Sequence, residues 1–580
     1  MKIILWTFIW IISENFLKGQ NLVWVNGIGS IEWEAGYSMA IGDSGYVFIA
    51  GSFQETVQFG NDVSLTSNGW IDTFIAKYDI SGNCIWAINM GGEYDDYCYS
   101  IALDENGNIY ETGSFGRLAD FDPSDEVANL SYHGPLPLFS DAFIAKYDSN
   151  GNYLWANSIG GEITDRGWFV KVDQANDVYV TGPFDSNIFY PNSYDTTIST
   201  NGFSDIFIAK YDSNGNFLWV TNIGGPLHDE PYFMDIDDSN NFVITGSFTD
   251  SANFNSTGQE VYLYSVNNSQ DVFLAKYETN GNNIWAKSFG SSSFDFGRSL
   301  GIHNNDIYLA GTFSGDITIN SLGGNTSLTC GGLGDIFLTK FNSDGENIWA
   351  LGIEGMENDA WHSALSMSVD ESGAIYITGD HIGAADFNPT NEENILTPSG
   401  ISDLYIASYN PDGNYNWAMQ TGSELDEVGF SLDVDDFGII YLTGYFYGTC
   451  DFDPTEELMN VQSHGNADIF FAKYSQPTNF IHNENKLIPN KMVLLPAYPN
   501  PFNPTTTIRF NIPLESSASR LMSLQIFDIT GRVVKTLVDD FVQPGAHETQ
   551  WDASDQASGV YFVWLESGTV VQTQKIVLVK

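Results

Sequence analysis

The sequence predicts an all-β protein: a seven-bladed β-propeller closed by its N-terminal strand, followed by a small immunoglobulin-like β-sandwich. Three observations predict it. A phrase written as "DIFIAKYDSNGNFLWVTNIGG" at 205–225 occurs seven times, its leading Asp at 72, 141, 205, 271, 335, 403 and 468, spaced 64 to 69 residues apart. A second phrase alternates with it, from "YVFIAGSF" ending at Phe53 to "IIYLTGYF" ending at Phe446. The last copy of the first phrase, "DIFFAKYSQPTNF", lacks its Trp-bearing second half, and "NLVWVNGIGS" at 21–30 supplies that half with Trp24 in the Trp place.

Each period holds four alternating segments, strands A to D, with short Asn/Asp/Gly turns between A and B and between C and D. Those turns are hairpin chemistry, because Asn and Gly accept positive φ at little cost. Four antiparallel strands in a repeating period are the signature of propeller blades, which cover one another's faces. Residues 21–30 complete blade seven and remove an edge open to pairing with other chains. The seven Trp (Trp24, Trp86, Trp155, Trp219, Trp285, Trp349 and Trp417) read either as wedges between blades or as ligand platforms. One per blade at a fixed place favours wedges.

Composition agrees: aromatic residues make up 14% and charged residues 16% of 580, with 56 glycines. The net charge of −53, from 74 acidic and 21 basic residues, excludes nucleic acid and anionic membranes as partners. Lys2 and the apolar run Ile3–Ile12 are too short to span a bilayer and read as a signal peptide, residues 1–19. No later segment is a transmembrane anchor. Cys84, Cys98, Cys330 and Cys450 match no disulfide framework or zinc spacing.

The repeat phrases resemble the bacterial β-propeller (SBBP) repeat family over residues 20–475, with Ser408 replacing the usual Lys in blade six. That resemblance implies the fold and no single activity. Residues 476–493 read as a linker. Within 494–580, "YPNPFNP", "DITGRVV", "WDASDQASGVYFVWL" and "KIVLVK" resemble the C-terminal sorting domain of the type IX secretion system, and are also similar to the immunoglobulin-like domain of flagellar hook-capping proteins. The sorting resemblance implies the type IX machinery as a partner, with export through the periplasm to the cell surface or medium.

No enzyme motif emerges. The eight His share no repeat position, and no metal-protease helix, nucleophile elbow or phosphate-binding glycine loop is present. Two candidate sites remain. The D-to-A connections place an acid in every blade (Glu34, Asp96, Asp165, Asp229, Asp295, Asp359 and Asp426) that either rings the channel mouth for a cationic group or bonds within its own loop. A further alternative pairs these acids with the strand-C lysines. The long B–C connections carry "DFDPSDE", "DFNPTNEE" and "DFDPTEE", whose Asp120, Asp122, Asp386, Asp451 and Asp453 suit Ca²⁺ or, the reading favoured, Pro-bearing Asx turns with Phe packed inward. No cofactor is required by this reading, with Ca²⁺ the one candidate. The expectation is an exported, non-catalytic binding or adhesion scaffold for an extracellular glycan or protein. A polysaccharide hydrolase or lyase, and a structural surface-layer component, are the rival readings.

Overall fold

A computed structural model describes residues 21–475 and 493–580, apart from 43–44, 61, 136–138, 191–192, 256–257, 357–359, 391–392, 436–437, 456–457, 496, 498, 513–519, 543–544, 555 and 568–569. The signal-peptide and linker assignments therefore lie outside the described residues, save the last residue of the linker. The chain divides into two compact units, Met1–Thr478 and Asn479–Lys580.

In the first unit the repeat period becomes a four-stranded antiparallel sheet. Blade two is typical: A is Tyr97–Leu103, B Ile109–Gly116, C Ser140–Tyr147 and D Tyr153–Ile159, paired in that order. Seven such sheets follow one another. The seventh pairs strand A (Glu427–Val434), B (Ile440–Phe446) and C (Asp468–Ser475) with Asn21–Ile28, the N-terminal strand, in register Ile28 to Ile469 and Trp24 to Lys473. Strand A of each blade touches strand A of the next, and blade seven returns to blade one, so the circuit closes.

Hydrophobic cores sit between neighbouring blades. One joins Tyr308, Ile336 and Leu338 of blade five to Ile375, Ile377 and Tyr405 of blade six. Fixed positions make the junctions. Trp155, Trp219, Trp285 and Trp349 each donate Nε1–H to a carbonyl in the next blade's C–D turn, at 3.1 to 3.3 Å, and the strand-C lysines Lys146, Lys276 and Lys340 reach those same turns. Those turns need glycine. Gly215 has φ +80°, and a Cβ there would stand 2.7 Å from the Trp155 ring. The tryptophans are thus wedges, as their regular placement implied.

The B–C connections form small outer hairpins that reach back to the preceding blade. Gly91 and Gly92 of strand D pair with Asp120 and Ala119, and Glu354 and Gly355 with Asp386 and Ala385. All four cysteines are free thiols.

The second unit is a sandwich of two sheets, one of Val493–Leu494, Thr505–Ile512 and Gly545–Asp552, the other of Val533–Val542, Arg520–Asp528, Gly559–Ser567 and Val570–Leu578. Both contribute to one core, with Phe502, Ile508 and Trp551 facing Leu524, Val563 and Ile576.

Candidate functional site

The D-to-A acids lie at the start of strand A with their backbones tied to the preceding blade: Asp96 N–H donates to Ile71 O and Asp229 N–H to Ser204 O, at 2.8 and 2.9 Å. Their carboxylates are at most 1% exposed. Each accepts backbone N–H bonds from its surroundings: Asp96 from Gly92 and Gly116, Asp165 from Gly161 and Asp185, Asp229 from Gly225 and Thr249, Asp295 from Ser291 and Ser314. Glu34 accepts from the N–H and hydroxyl of Ser30. Burial pushes Glu34 up to about 7, Asp229 to about 8 and Asp295 to about 6, and each also feels the Asp that opens strand C of the preceding blade. These groups hold adjacent blades together beneath the loops.

Two positions differ from the sequence assignment. In blade seven the equivalent acid is Glu427, whose N–H donates to Ser402 O and whose carboxylate accepts from Ser423; Asp426 is half-buried one residue earlier. Glu427 stands ten residues after Trp417, the spacing from strand-D Trp to buried acid in blades one to five, whereas Asp426 stands nine after it. In blade six Asp359 lies outside the described residues, and the place is taken by His362, whose N–H donates to Gly334 O. The strand-C lysines pair elsewhere, with the acids of A–B turns: Lys276 with Asp237 and Lys340 with Asp306, both at 2.8 Å.

The outer-hairpin acids form Asx turns. Asp120 Oδ1 accepts the N–H of Asp122 and Ala128, Asp386 Oδ1 those of Asn388 and Asn394, and Asp451 Oδ1 those of Asp453 and Met459. Asp122 and Asp453 each cap a following residue, Ser124 and Thr455. Phe121, Phe387 and Phe452 pack inward, fully buried. Among the described residues no three His, Cys, Asp or Glu stand together as a metal-ligand group.

A different position stands out three residues after each buried acid. The pairing of strands A and B slips there by one residue, leaving Tyr37, Tyr99, Tyr232, Arg298 and Phe430 as the extra residues of β-bulges. Trp168 and Leu365 occupy the same place in blades three and six, each donating its N–H to a strand-B carbonyl beside the next pair. A bulge re-aims the side chain it carries. Here side chains from successive blades meet: Phe430 and Tyr37 have ring centroids 5.1 Å apart, Tyr37 and Tyr99 6.0 Å, and Trp168 and Tyr232 5.5 Å with planes 15° from parallel. The Arg298 guanidinium lies over the Tyr232 ring at 4.3 Å.

Contact between side chains of successive blades places them around the propeller axis, at the end of strand A where the D–A loops lie. All seven are half-buried, so part of each faces outward. Tyr97, Phe296 and Tyr445 back this collar, and polar groups punctuate it: Glu230 accepts from the Tyr232 hydroxyl at 2.6 Å, and Asp380 accepts from the Ser363 hydroxyl. Arg166 stands beside Tyr99. Further along strand A the channel widens into a cavity of about 360 Å³, crossed by a Lys171–Asp235 ion pair at 2.8 Å.

The collar was legible as a largely aromatic column thirteen residues after the strand-D Trp in every blade but the sixth. Sequence reading stopped at the acid because carboxylates repeat more uniformly than the mixed Tyr, Trp, Phe, Arg and Leu set beside them.

Comparison with known proteins bears on origin and export. Residues 496–580 match the family model described as a secretion system C-terminal sorting domain, and residues 87–114 match that of the β-propeller repeat. An uncharacterized WD repeat-containing protein, L264, of Acanthamoeba polyphaga mimivirus is 23% identical over 503 residues, covering 73% of this chain and 36% of that protein. The regulatory protein FlaEY of Caulobacter vibrioides is 23% identical over 454 residues, 74% of this chain and 45% of its own. The chain thus spans less than half the length of these curated relatives. Among solved structures, PorZ, a bacterial surface component of the type IX secretion system of Porphyromonas gingivalis, aligns with 96% of this chain and all of its own at 11% identity and a TM-score of 0.23, a likeness too low to inform function. The chain thus carries a β-propeller repeat at 87–114 and a type IX secretion system C-terminal sorting domain at 496–580.

Proposed function

We propose that this protein is an exported surface or extracellular binding scaffold, non-catalytic, whose ligand seats on the aromatic collar at the channel mouth. The collar carries the reading. Buried acids repeat in six blades and outer hairpins in all seven, and both spend their polar atoms on the fold, whereas the bulged position varies from blade to blade and stays half-exposed. Variation on a repeated frame is what a binding site imposes, since a ligand lacks the sevenfold symmetry of its scaffold. The C-terminal domain supports delivery outside the cell by the type IX machinery.

The direct test is an array of extracellular polymers, glycans and proteins together, probed with the full chain and with a Trp168→Ala/Tyr232→Ala double variant. Binding that disappears in the variant, at an unchanged melting temperature, supports the collar; equal binding by both rejects it. The carboxylates at the mouth, Glu230, Asp380 and Asp426, keep a polysaccharide hydrolase or lyase as the second reading. New reducing ends or unsaturated products from a bound glycan would establish it.

A further inference from the structure

We infer that the collar recognises a neutral carbohydrate chain. This rests on the reading that the ligand seats at the collar, and adds the class of ligand. Aromatic faces alone would suit any apolar partner, but here they alternate with hydrogen-bonding groups of both kinds. Arg298 Nε is a buried donor and Asp95 Oδ1, beside Tyr97, a buried acceptor, and neither has a hydrogen-bond partner among the described residues. Leaving such atoms unpaired costs free energy unless a ligand satisfies them.

A sugar hydroxyl both donates and accepts, so one polyhydroxyl chain can meet the unpaired donor and the unpaired acceptor while its C–H face lies on the half-exposed Trp168. An anion would meet Arg298 and Arg166 but be repelled by Asp95, Glu230, Asp380 and a net charge of −53. A cation would meet only the acids. Trp168, Tyr232 and Arg298 form one stack across blades three to five, with the ring planes 15° apart and the guanidinium over the Tyr232 face. Blade six interrupts the collar with Leu365.

The experiment is calorimetric titration of the full chain with three neutral hexaoses (cellohexaose, laminarihexaose and mannohexaose) and with hexagalacturonate. Binding of a neutral hexaose is expected, weakened about tenfold or more by Trp168→Ala and by Arg298→Gln. Trp70→Ala, on the outer hairpin of blade one and 73% exposed, should leave it unchanged. Leu365→Trp, which extends the platform, should tighten it, and keeps the test open if a truncation disturbs folding. Binding of hexagalacturonate alone overturns the neutral class and leaves the collar standing. A hexaose bound equally by the wild type and the collar variants overturns the collar itself. Binding of no probe overturns the carbohydrate inference, and a collar-dependent protein partner on the array would then take its place.

Discussion

Glu111 offers a stringent test of the packing between blades. It occupies the strand-B position that holds Ile49, Val180, Ile244, Leu309, Ile377 and Leu442 in the other blades, and it is fully buried. Burial pushes its carboxyl from 4.5 up to about 8, with only the Thr73 hydroxyl and Cys98 thiol near enough to ease its charge. In the unfolded chain the group ionises near its ordinary value, so at pH 7 folding must hold a proton that the unfolded chain has released. That costs about 3 kcal/mol. The sign follows: with the folded value raised, Glu111 costs nothing of this kind below pH 4.5, and stability is lost as pH rises through 8. Glu111→Ile removes the titration. Its advantage over wild type should therefore grow by about 3 kcal/mol between pH 4 and pH 7, or about 3 °C in melting temperature for a propeller of this size. Scanning calorimetry of both proteins at the two pH values measures it. An equal difference at both would refute the reasoning, because it would mean that Glu111 is solvated or already ionised in the fold.

The remaining predictions concern blade six, closure and metal. His362 and His381 are buried with ring centroids 6.2 Å apart, and burial pushes them from 6.5 down to about 3 and about 4. The unfolded chain takes up protons first, so their contribution is complete above pH 6.5 and is lost as pH falls toward 4. His381→Phe, matching Phe53, Phe115, Phe184, Phe248, Phe313 and Phe446, should flatten the fall of the urea midpoint over that window; an unchanged slope would contradict it. Deleting residues 21–30 leaves strand C of blade seven unpaired on one side and should replace one cooperative melting transition by a broad, lower one, checked by calorimetry. Millimolar Ca²⁺ should leave the melting temperature unchanged, since Asp120, Asp386 and Asp451 each commit an oxygen to two loop N–H groups. A rise of several degrees would assign the hairpins to the metal.

The sequence by itself determined the strands, the turns, the ring and its latch. Those follow from local chemistry repeated at one period: Asn-Gly turns select hairpins, alternation selects strands, and a half-written seventh copy with its missing half at the N-terminus admits one closure. The spare Trp24 was enough to pair Asn21–Ile28 with strand C of blade seven. What each side chain at the mouth faces was decided only in three dimensions. A bulge inserts one residue into strand A, and because side chains alternate with period two, that insertion reverses every later direction along the strand. Asp96, before the bulge, is held inward by the Gly92 and Gly116 N–H groups, and the bulged Tyr99, three residues on, stands at the axis. The ten-residue spacing from the strand-D Trp singles out Glu427 over Asp426, but that its N–H meets Ser402 of the preceding blade was decided only by the fold. The collar exists because seven strands, far apart along the chain, bring one bulged residue each to a common axis.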